Sequence, residues 1–97
     1  MNRKAFADWL ETQSPDRQFY QSDGRACPLA CYMREAGGMP EAFVGRVRLY
    51  KRASDSLPAT LPLPSWAMRF IQEFDFGSVA RTAREARIVL GDVTDGP

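Results

Sequence analysis

The sequence contains no histidine. That absence removes the commonest general base, the Ser-His-Asp and Cys-His nucleophile arrangements, and the commonest zinc ligand. A zinc site would have to combine two cysteines with carboxylates, whereas structural zinc takes four Cys or His ligands, so no metal is expected. Cysteine is scarce too. Cys27 and Cys31 stand in a C-x-x-x-C spacing, which is not the C-x-x-C of a redox motif and is too little for the disulfide framework of a small secreted domain. They read as two small buried hydrophobes of a reduced chain. Cys27 is also placed to be a mildly activated thiol, because it lies near the positive end of a helix.

Long apolar runs are missing as well. Nothing approaches the roughly 20 residues of a membrane span, and the opening MNRKAFADWLETQ passes from charge into an amphipathic pattern without the apolar stretch of a signal peptide. A cytoplasmic chain with no membrane partner is expected. Charge of one sign is also lacking: 13 Lys/Arg against 12 Asp/Glu give a net +1. Such a chain cannot mimic the phosphate backbone, and it has little electrostatic reserve for holding nucleic acid. AGGM and DFGS lack the further glycines, the lysine and the helix context of phosphate loops. Nothing in the sequence gathers carboxylates such as Asp16 and Asp23, or Glu73 and Asp75, into one cleft. No catalytic residue and no cofactor are expected, and the chain reads as a non-enzyme.

What is present suits one core. Ninety-seven residues with 44% apolar and 11% aromatic content can fold alone as a single domain. Asn2 is placed to cap a first helix from Arg3 to about Gln13, with Phe6, Trp9 and Leu10 on one face. Ser14-Pro15-Asp16 ends it. Arg17 to Gln21 is an edge strand or a packed loop. A second helix runs from about Pro28 to Ala36, stopped by Gly37-Gly38. Phe43 to Arg52 is the best strand of the chain, with Val47 and Leu49 on one face and Arg46 and Arg48 on the other. The proline-rich stretch Ser54 to Pro64 is an extended connector that pins Leu57, Leu61 and Leu63 to the core. The clearest helix begins at Ser65 and buries Ala67, Phe70, Ile71 and Phe74. Thr82 and Glu85 have the spacing of a capping box that opens a last helix through Ala86, Val89 and Leu90, with Ser78 as the alternative start. Residues 92–97 read as a frayed tail. The fold expected is α+β: about four helices in one compact domain, the first three packed around one face of a short strand or small antiparallel sheet.

Arginine is the polar residue that stands above background. Arg46 and Arg48 share a strand face, and Arg81, Arg84 and Arg87 follow one another at i+3 steps, a basic stripe on the last helix. Guanidinium is suited to bidentate capture of carboxylate or phosphate. Among Phe19, Tyr20, Tyr32, Phe43, Tyr50, Trp66 and Phe76, most are core candidates. Tyr50, beside Lys51 and Arg52, is the one expected at the surface, and Tyr with Arg is the usual make-up of an interface hot spot. The candidate partner-binding set is therefore Arg46, Arg48, Tyr50, Arg81, Arg84 and Arg87.

The stretches FADWLETQSPDRQFY, CPLACYMREAGG and LPLPSWAMRFIQ resemble small orphan proteins of phages and mobile elements, a group that includes anti-CRISPR proteins. The resemblance brings no functional residue with it, because those proteins share no common motif. It implies a protein inhibitor whose partner is a CRISPR-Cas effector subunit or complex. The alternative is a small nucleic-acid-binding regulatory module that uses the arginine-rich surface.

Overall fold

Local capping decides where the helices begin and end in the computed structural model, which describes residues 1–21, 23–52, 60–77 and 81–93. The Asn2 side chain accepts a hydrogen bond from the Ala5 N–H at 2.9 Å and opens α1, Arg3–Thr12, whose Phe6 and Leu10 are wholly buried. Helix α2, Pro28–Glu35, starts on a proline whose missing N–H would have had no helical partner. It stops where Gly38 takes a left-handed φ of 73°, and the N–H groups of Gly37 and Met39 turn back to the Met33 carbonyl.

The strand expected over Phe43 to Arg52 is folded back at its middle. Strands β1, Phe43–Val44, and β2, Arg48–Tyr50, pair antiparallel with Phe43 opposite Tyr50 and Val44 opposite Leu49. The Gly45 N–H donates to the Arg48 carbonyl at 2.9 Å and leaves Arg46 and Val47 as the tip of a hairpin. A period of two cannot distinguish one long strand from two short ones joined by a tight turn. Gly45 marks the bend, since a Cβ there would lie 3.3 Å from the Tyr50 ring. Val47, expected on the buried face with Leu49, is exposed at the tip, while Leu49 is buried.

The third strand, β3, Leu61–Pro62, pairs with the other edge of β2, so β2 is central in the order β1-β2-β3. Pro62 is tolerated there because an edge strand need not donate on its outer side. Leu63 is buried as expected. Leu61 is half exposed, because it sits on the edge strand away from the side that α2 covers. Leu57 lies outside the described residues.

Helix α3, Ser65–Gln72, continues into a π-helical turn over Glu73–Gly77. Ala67, Phe70, Ile71 and Phe74 are all buried, joined by Trp66. The segment after α1 makes a single bridge, Gln18 to Thr82. The Phe19 N–H donates to the Arg81 carbonyl and the Ala83 N–H to the Arg17 carbonyl, so Phe19 is carried into the core. Helix α4, Ala83–Asp92, opens with the expected capping box: the Glu85 N–H donates to Thr82 Oγ1 and the Thr82 N–H to Glu85 Oε1. Ser78 lies outside the described residues. The frayed tail expected from Asp92 starts too early, since Asp92 is helical and Val93 is buried.

The described residues thus form an α+β fold of four α-helices and a small antiparallel sheet. The core centres on Phe6, whose ring meets Tyr32 at 5.4 Å, Trp66 at 5.9 Å and Phe70 edge-on at 5.3 Å. Helix α2 makes the main contact with the sheet, through β1, while α1 pairs chiefly with α4 rather than with the sheet.

Candidate functional site

The structure divides the arginines that the spacing groups together. Arg87 turns from α4 toward the end of α1: Nη2 donates to the carbonyls of Leu10 at 2.7 Å, Gln13 at 2.9 Å and Glu11 at 3.3 Å, and Nε adds a bond to Leu10. Arg3, at the start of α1, donates in return to the Leu90 carbonyl near the end of α4 at 2.7 Å. Two antiparallel helices therefore clasp one another by arginines set against their negative ends. Arg81 is not on α4 at all. It precedes the capping box, where its side chain donates to Gln21 Oε1 and its backbone N–H to Glu85 Oε1. Arg84 points outward, 3.8 Å from Asp16. The three do not make one stripe.

On the sheet, Arg48 donates to Thr60 Oγ1 at 3.0 Å, and Tyr50 packs edge-on against Phe43 with ring centres 5.7 Å apart. Tyr50 is only partly accessible, whereas Tyr20 and Phe76 are the exposed aromatics. Arg46 leaves the face of Arg48 because it sits in the hairpin turn. Its guanidinium lies over the Phe76 ring, 4.8 Å from the centroid. At an exposed site that stacking is worth only about 0.5–1 kcal/mol, but it fixes where the charge sits.

This contact borders a mostly apolar opening of the described surface. Arg46, Val47, Met68, Ile71, Gln72 and Phe76 line a groove of about 490 Å³ between the hairpin tip, α3 and the π-helical turn. Val47 and Phe76 are each 58% exposed. An adjoining cleft of about 340 Å³ shares Arg46, Ile71 and Phe76 and reaches down to Cys27 and Asp75. Val47, Met68 and Phe76 carry no sequence signal for this role. Their exposure depends on the hairpin bend and on the π-helical turn, which swings Phe76 out after Phe74 has been buried.

Neither thiol is equipped as a nucleophile. Cys27 occupies the cap position of α2, yet burial pushes its thiol up to about 12, with the Asp75 charge acting in the same direction. Desolvation outweighs the helix's positive end, so the activated-thiol expectation does not hold. Burial also raises Cys31, against the opposing charge of Arg34, whose Nη2 lies 3.4 Å from the sulfur. Both cysteines are free and buried.

The carboxylates with displaced pKa values are structural. Arg17 holds Glu35 below the usual carboxylate range through a bidentate pair at 2.5 and 2.9 Å, while its guanidinium also covers Trp9 and Phe19. The Arg81 backbone N–H, followed by the Thr82 hydroxyl, lowers Glu85 in the capping box. Among the described residues no three or more Cys, Asp or Glu side chains are grouped to hold a metal ion, and no helix is long and apolar enough to cross a membrane. The chain matches no family model, no curated protein and no solved structure.

Proposed function

We propose that the chain is a non-enzymatic protein-interaction domain that docks its partner in the groove at the hairpin tip. The carrying observation is Arg46 held over an exposed Phe76, beside an exposed Val47, at a groove lined mostly by apolar side chains. Aromatic and arginine side chains at the centre of an apolar patch are what interface hot spots are made of. The occupant is a segment of a partner protein that presents an apolar side chain next to a carboxylate. Among the described residues Arg46 is the one charged residue lining the groove, and no carboxylate pairs with it.

The resemblance to anti-CRISPR proteins supplies the first partner to try, a subunit of a CRISPR-Cas effector complex, with this domain as its inhibitor. The dispersal of Arg48, Arg81 and Arg87 into intramolecular bonds favours this reading over a nucleic-acid module, which would draw on all of them together.

The test is nuclease-treated affinity capture from a bacterial lysate with the wild-type chain, Val47→Asp and Arg84→Ala, followed by binding measurements on the purified partner. Wild type and Arg84→Ala should retain the same protein, while Val47→Asp, at a turn tip where folding tolerates it, should lose about thirtyfold or more in affinity, as at a hot spot. Retention that vanishes with nuclease, or that survives Val47→Asp, would overturn the proposal.

A further inference from the structure

Side chains alone separate the hairpin groove from the cleft beside it. Both cavities, about 490 and 340 Å³, are lined by Arg46, Ile71 and Phe76, so these residues form the partition between them. Ile71 is buried on α3 and fixed by its packing, whereas Arg46 and Phe76 are exposed. The movable part of the partition is therefore the stacked pair.

Much of the remaining wall of the cleft is tied down. Val44 is buried, its N–H donates to the Gly24 carbonyl at 2.8 Å, and a Cβ on Gly24 would lie only 2.5 Å from the Phe43 ring, which packs edge-on against Tyr50. Asp23 Oδ1 is held by the N–H groups of Arg25 and Ala26 at 2.9 and 3.3 Å. The side chains of Arg46 and Phe76 have no such ties. One comes from the hairpin tip and the other from the π-helical turn, and among the described residues the one polar or ring contact of either side chain is with the other, 4.8 Å from guanidinium carbon to ring centroid. A cation over an exposed ring favours the stacked arrangement by only about two- to fivefold, so the parted arrangement is a substantial minority.

We propose that the Arg46–Phe76 stack is a gate between the hairpin groove and an inner compartment floored by Cys27, Val44 and Ile71. When the pair parts, the two cavities join into one trough whose floor is buried and apolar. A partner carboxylate that captures Arg46 also lifts it from Phe76, and so opens the compartment to the apolar side chain that accompanies it. That consequence alone rests on the docking reading. The gate belongs to the free chain, and its test needs no partner.

Cys27 is the built-in reporter, and Cys31, which is just as buried but lines neither cavity, is the internal control. The free chain is treated with iodoacetamide under native conditions, and labelling at each thiol is followed by peptide mass spectrometry. Arg46→Ala removes the stack at an exposed turn position and should speed labelling of Cys27 about threefold, with Cys31 unchanged. Loss of a nearby positive charge can only disfavour the thiolate, so this acceleration reports access. Phe76→Trp offers the cation a better ring and should slow labelling of Cys27 about twofold. Those opposite responses, in a chain that captures no partner through Val47, would uphold the gate and sink only the docking reading. Acceleration of Cys27 and Cys31 together in Arg46→Ala would mean a general loosening of the fold and would overturn the gate, as would a Cys27 rate that either variant leaves unchanged.

Discussion

Replacing Arg87 with alanine removes the pin that joins the last helix to the first. Its guanidinium donates to three carbonyls at the end of α1, where carbonyls run out of helical N–H partners and a positive charge is favoured by the helix dipole. A hydrogen bond to a charged group contributes about 1.5–3 kcal/mol. The three bonds share one side chain, and the freed carbonyls regain water at the rim, so the net loss is about 2–3 kcal/mol rather than the sum. Arg84 is the control. Its side chain is 65% exposed and 3.8 Å from an exposed Asp16, so Arg84→Ala should cost no more than about 0.5 kcal/mol. Urea denaturation followed by circular dichroism separates the two, and for a domain of this size the Arg87 variant should also melt roughly 10–20 °C lower. Arg87→Lys keeps the charge but not the fork and should recover less than half of the loss. If the midpoints of the Arg87→Ala and Arg84→Ala variants shift equally, the clasp contributes nothing and Arg87 is an ordinary surface arginine.

Two further outcomes rest on the core. Phe70 is 1% exposed between Phe6 and Phe74, so Phe70→Ala should destabilise by about 3–5 kcal/mol in the same denaturation assay; an unmoved midpoint would show that this face is not packed. Cys27 should label slowly with thiol reagents in the native chain and fast in denaturant. Because its thiol is raised from 9.0 to about 12 on folding, its contribution is complete below pH 9 and is lost as pH rises toward 12, so Cys27→Ala should lessen the alkaline loss of stability over that window; identical pH profiles would refute the burial argument.

Helical elements were legible because their signals are local. Asn2, Pro28, the Gly37-Gly38 pair and the Thr82-Glu85 box each act within a turn of their own position, and the buried faces of α1, α3 and α4 follow the 3.6-residue period. The sheet was less so. Alternation over Phe43 to Arg52 fits a hairpin as well as a single strand, and a two-residue partner such as Leu61–Pro62 is too short to carry a period. Val47 changed sides for that reason, through the bend at Gly45, whereas Phe76 did so through the π-helical turn that follows α3, and the apolar groove depends on both.

The arginines were hardest to sort, because a charge pattern shows which face of a helix a residue shares but not what lies against it. Part of the answer was nevertheless in the wheel of α4. Arg87 is four residues after Ala83 and three before Leu90, both buried, so it lies at the border of the packed stripe, whereas Arg84 stands four before the exposed Ile88 on the far side. A long side chain at such a border can lay its stem along the apolar face and send its charge to whatever carbonyl end is near. Which end is near depends on α1 and α4 running antiparallel, and that is a property of the assembled chain rather than of either segment. The arginines available to a partner are therefore those whose helix or turn leaves them no carbonyl end to cap. Arg46 meets that condition at a turn tip, and it is there, rather than along α4, that the proposed docking groove opens.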